Sequence, residues 1–132
     1  MNDGANVRPS AIAKGYMDAL IKNGSFSRSI DAYVFAAAFA MRLDLDNEDA
    51  NLKARGDLVA VRIIDDEVRL ALECSVLAIR KRKSLEPLVD GSAVLEQVTK
   101  YAEVGLVALK QRWEGKTSLQ IQHDIKNLLV DV

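Results

Sequence analysis

Between Ala32 and Met41 the chain reads Ala-Tyr-Val-Phe-Ala-Ala-Ala-Phe-Ala-Met, a run whose only polar side-chain group is the Tyr33 hydroxyl. A helix that is apolar on every side has to be buried, either among other helices or in a bilayer. The run falls well short of the ~18 apolar residues that argue for a membrane span, so burial inside protein is the reading it supports. Ala36, Ala37, Ala38 and Ala40 let neighbouring helices approach closely, while Val34, Phe35, Phe39 and Met41 fill the space between them. The sequence therefore predicts a central helix over about residues 29–44, wrapped by the others.

The rest of the chain supplies the wrapping. At 132 residues, with 49% hydrophobic and 28% charged residues, it suits one helical domain over 1–132 with sharply divided helix faces and no need of metal or disulfide staples. Residues 1–8 are polar and expected to fray. A first helix runs from Pro9 or Ser10 to about Asn23, with Ile12, Tyr16, Leu20, Ala13 and Met17 on one face and Gly24 as its left-handed stop. Ser27 or Ser29 would cap the central helix, and Asp31 in its first turn favours the dipole. An acidic loop follows, with room for a short helical turn at Ala50–Ala54. Leu58–Ile64 is rich in β-branched residues but has no evident strand partner, so it is read as an irregular connection that drops side chains into the core.

Three more helices complete the pattern. One opens at Asp65-Asp66-Glu67 and ends at Arg80-Lys81-Arg82-Lys83, acidic start and basic end both matching the dipole. Val68, Leu72, Ser75 and Ile79, flanked by Ala71, Val76 and Leu77, suggest that it is largely buried. A long helix from Ala93 to about Glu114, capped by Ser92, carries the stripe Leu95, Val98, Ala102, Leu106, Leu109, Trp113. The last follows a Thr117/Gln120 capping box and shows Ile121, Ile125, Leu128, Leu129 and Val132 on one face. The predicted fold class is all-α: a compact bundle of about five helices around the buried central one.

No catalytic, cofactor-binding or metal-binding constellation emerges. Gly115-Lys116-Thr117 resembles the end of a phosphate-binding loop, but position 110 is Lys where the motif needs Gly, and a helix rather than a strand leads in. The acidic run Asp44–Asp49 lacks the glycine and the final glutamate of a calcium loop. His123, the only histidine, is expected on the polar side of the last helix, and Asp65–Glu67 is accounted for by a helix start. Cys74, the only cysteine, is expected to be a small buried hydrophobe of a reducing, cytoplasmic setting. The N-terminus shows no basic-then-apolar secretory pattern. An enzyme is therefore not expected.

Surfaces remain. A net charge of −1 and 5% aromatics argue against a dedicated nucleic-acid domain, which leaves Arg80, Lys81, Arg82 and Lys83 as the one patch for weak, salt-sensitive DNA contact. The amount of apolar helix exceeds what a monomer of this length readily buries, favouring self-association or a larger protein partner, with no membrane and no small-molecule ligand indicated. Tyr33, Tyr101 and Trp113 are amphipathic side chains of the kind that anchor interfaces, although each also suits a core position.

Two segments, Phe26–Ala38 (Phe-Ser-Arg-Ser-Ile-Asp-Ala-Tyr-Val-Phe-Ala-Ala-Ala) and Val98–Leu106 with Tyr101-Ala102 and Gly105, resemble the small helical accessory proteins encoded beside bacterial DNA phosphorothioation (dnd) systems. The resemblance spans roughly residues 12–113 and rests on packing motifs. It departs at Ala40-Met41, where a glycine often ends the corresponding helix in that family. It implies a non-enzymatic accessory role beside DNA modification or phage defence, and no catalytic residues.

Overall fold

The computed structural model describes residues 1–130. It contains five α-helices: α1 (Ala11–Lys22), α2 (Ser29–Arg42), α3 (Asp66–Arg82), α4 (Gly91–Trp113) and α5 (Ser118–Val130). A two-residue strand β1 (Asn6–Val7) pairs antiparallel with β2 (Val59–Ala60), and one 3₁₀ turn follows at Val61–Ile63. The fold is the all-α bundle that the periodicity predicts.

Its spine is an antiparallel pair of helices. Phe35 of α2 stacks on Trp113 at the end of α4, and past the other end of α2 the Asn47 side-chain amide donates to Gln97 near the start of α4. Ala36, Ala37 and Ala40 are fully buried, as is Ala102 opposite them, because small side chains let the two backbones close in. The contact is tightest at Gly105, where an added Cβ would lie 2.1 Å from the Ala36 carbonyl oxygen. α4 is thus as central as α2, burying Val98, Leu106, Leu109 and Trp113 along the same side. Ala13, Met17 and Leu20 of α1 and Ile121 of α5 close one contiguous apolar core.

The helix ends follow from local chemistry. The Ser10 hydroxyl accepts from the Ala13 N–H and starts α1. Thr117 and Gln120 form the reciprocal capping box, each side chain accepting from the other's backbone N–H. α4 is capped by Asp90, whose carboxylate accepts from the Ala93 N–H at 2.9 Å, so the helix begins ahead of the expected Ser92 cap. α2 has neither Ser27 nor Ser29 as cap. Arg28 takes that position, and its guanidinium forks onto Asp31 at 2.8 and 3.0 Å.

Several expectations are corrected. Residues 1–8 are not frayed: the Val7 carbonyl accepts from Leu58, the Ala5 carbonyl accepts from Val61, and Val7 and Pro9 are buried. These residues also give Val59–Ala60 a strand partner more than fifty positions upstream, while the rest of Leu58–Ile64 is the irregular connection expected, with Val61 and Ile64 buried in the core. Residues 50–52 are irregular and only 53–54 turn, so no helical turn forms there; the Asn51 side chain accepts from the Lys53 N–H. α3 buries only Leu72, Val76 and Ile79, which makes it an outer helix rather than a core one. Ile12 and Leu129, placed by periodicity on inward faces, are 64% and 66% exposed. Val132 lies outside the described residues.

Candidate functional site

The most unusual interior feature is a carboxylate. Glu103, in the middle of α4, is 4% exposed and accepts three hydrogen bonds. The Ser10 hydroxyl donates to Oε1 at 2.5 Å, while the Ser10 backbone N–H and the Tyr33 hydroxyl donate to Oε2 at 3.1 and 2.5 Å. Burial, and after it the adjacent Glu103 charge, holds the Tyr33 phenol far above the usual tyrosine range, so it remains a donor. One side chain thereby ties the start of α1 to α2 and α4. A small cavity of about 110 Å³, lined by Ser10, Ala13, Tyr16 and Leu106 among others, lies beside it. The arrangement is a structural strut.

Sequence reasoning missed Glu103. Its signal was present: a lone carboxylate inside Tyr101-Ala102-Glu103-Val104-Gly105-Leu106, at a position where helical spacing points inward.

The candidate interface aromatics are in the core. Tyr33, Tyr101 and Trp113 are 2%, 5% and 3% exposed, so none is on a surface that a partner could reach. Trp113 packs against Phe26 and Phe35, and its indole N–H donates to Asp124 at 2.7 Å. Asp124 also takes a bidentate grip from Arg112, which lowers its pKa to about 2. His123, next to it, is exposed as expected.

The basic end of α3 is largely engaged within the chain. Arg80 donates to the Glu86 carbonyl through two nitrogens, and Arg82 and Lys83 both pair with Asp44. Those cations hold the Asp44 carboxyl below the ordinary carboxylate range. Of the four residues, only Lys81 makes no such contact among the described residues. The patch therefore presents less free charge than the sequence implies.

The exposed surface of α3 is the opposite of what its basic end suggests. Leu70 is 61% and Leu77 48% exposed, and Ala71, Cys74 and Ala78 are exposed along the same side. Cys74 is thus a surface thiol, contrary to the buried state expected, because α3 carries apolar residues on its outer side as well as its inner one. A groove of about 540 Å³ runs beside this face between α2 and α3, with Val34, Ala38, Ala71, Ser75 and Ala78 along it.

Gly115 has φ +77 and ends α4, followed by the capping box, so Gly115-Lys116-Thr117 is helix punctuation. Among the described residues, no three or more His, Cys, Asp or Glu side chains converge as a metal site, and no helix is long and apolar enough to cross a membrane. What the fold and surface define is a class: a five-helix all-α bundle with a buried carboxylate strut and an outward apolar helix face. No protein-family model matches the chain, and neither a curated protein nor a solved structure does.

Proposed function

We propose that this protein is a non-enzymatic interaction module that works by docking through helical surface, as an accessory to a bacterial DNA-modification or defence assembly. One observation carries the reading: α3 spends only one side on the core and presents Leu70, Ala71, Cys74, Leu77 and Ala78 outward beside an apolar groove. The buried polar chemistry supports the same view, since the Glu103 carboxylate is fully taken up in holding three helices together. The DNA phosphorothioation setting rests on the resemblance of Phe26–Ala38 and Val98–Leu106 alone.

The test is co-purification with the products of neighbouring genes, using wild type and a Leu70→Glu/Leu77→Glu variant. Both positions are exposed, so the variant keeps its helicity and loses the partner. Equal recovery with both proteins counts against the reading. Direct DNA contact through Arg80–Lys83 is the weaker alternative, because three of the four make contacts within the chain. Mobility shifts across a salt series with all four changed to Ala decide it: unchanged binding removes the patch.

A further inference from the structure

The outer face of α3 is symmetric about Cys74, and that symmetry identifies its occupant. α3 spans Asp66–Arg82, so Cys74 stands at its midpoint. Glu67 lies seven residues before Cys74 and Lys81 seven after; Leu70 and Ala78 are four to either side, Ala71 and Leu77 three. All seven residues are exposed, and their 3–4 spacing places them on one stripe.

We infer that this face docks a second copy of the same chain, with α3 packed antiparallel on α3 of the second copy and Cys74 on the two-fold axis. A two-fold interface requires a patch that is its own complement, so that a residue contacts a different residue whose counterpart returns the contact. In this register Leu70 meets Ala78 of the second copy and Ala71 meets Leu77, large against small at each level. Glu67 meets Lys81, acid against base at both ends. A parallel pairing would oppose Leu70 to Leu70 and Glu67 to Glu67, leaving gaps between the alanines and like charges in contact. Ala71, Ala78 and the Cys74 thiol are small enough for close approach. α3 is only about 25 Å long, so a single helix pair sits at the low end of specific interfaces. The association is therefore concentration-dependent, with the α2–α3 groove alongside it.

This inference rests on the interaction-module reading, and charge exchange tests it separately. Sedimentation or light scattering over a wide concentration range should show a reversible dimer. Glu67→Lys and Lys81→Glu each place like charges at both ends, so each should weaken dimerisation roughly tenfold. The double variant restores the pairs and should recover wild-type affinity. Oxidation with copper–phenanthroline should link the dimer through Cys74, and the same charge reversals should slow that linkage in step. Circular dichroism controls for folding, since both positions are exposed. A monomer at every concentration, a dimer indifferent to both reversals, or a double variant no better than the singles overturns the inference. If neighbouring-gene products still bind and are lost in Leu70→Glu/Leu77→Glu, the interaction-module reading survives that failure.

Discussion

Gly105→Ala should destabilise the protein although it replaces a poor helix former with the best one. In the interior of α4 the exchange gains about 1 kcal/mol of intrinsic helix propensity. Against this, the new Cβ would sit 2.1 Å from the Ala36 carbonyl oxygen and 2.7 Å from its carbon, where ordinary contact begins near 3.4 Å. The obstacle is backbone in the middle of α2, so no side-chain rotation relieves it, and the helices must part by more than an ångström. Ala36, Ala37, Ala40 and Ala102 have no side-chain length to refill the gap, and a ~1 Å gap forfeits a quarter to a half of each dispersion contact across it. Overpacking of this kind costs about 1–3 kcal/mol, and the unyielding neighbour places Gly105 at the upper end; the net loss should be about 2 kcal/mol. Gly15 is the matched control. It lies within α1 with nothing inside 4 Å of an added Cβ, so Gly15→Ala keeps the propensity gain alone and should stabilise by up to ~1 kcal/mol. Urea unfolding followed at 222 nm compares the pair. A Gly105→Ala protein as stable as wild type would refute the close-packed spine.

Tyr33→Phe should cost about 2 kcal/mol, because it removes a hydrogen bond to a buried carboxylate, and Glu103→Ala about 3–5 kcal/mol, because it strands both Ser10 donors and the Tyr33 hydroxyl. Near-additive losses in Tyr33→Phe/Glu103→Ala would contradict the strut. Asp124 supplies a pH dependence: its pKa is lowered in the folded state to about 2, so its contribution is complete above the ordinary carboxylate pKa and is lost as pH falls toward about 2. The partly exposed Arg112 limits the effect to about 1–2 kcal/mol, and Asp124→Asn should flatten that part of an acid stability profile. In protein dilute enough to be monomeric, Cys74 should react with Ellman's reagent without denaturant, whereas a thiol still protected at that dilution would place α3 differently.

The helices were legible because each has a 3–4 apolar rhythm with end signals, as Gly24, Thr117/Gln120 and Gly115 illustrate. α3 was misread as buried because periodicity reports which residues share a face and not what covers that face; a helix with apolar residues on two opposite sides looks like a core helix. That error hid the candidate surface. The same rule misplaced Ile12 and Leu129, which face solvent. The β1–β2 pairing was out of reach, since two residues per strand leave no alternation to detect and the partners are far apart in sequence. Glu103 defied a composition rule, because an acid inside an apolar run is recognised as a strut only when its donors on other helices are seen.

The β1–β2 clasp has a kinetic consequence. Its bonds from Leu58 to Val7 and from Val61 to Ala5 close a loop that contains all of α1 and α2, a closure that is least costly once both helices have formed and packed. Such a non-local contact belongs late in folding and, by the same token, early in opening. The amide protons of Leu58 and Val61 should therefore exchange through a partial opening that frees the strap while α2 and α4 stay paired. A protease that cuts within residues 46–57 would sample that state first.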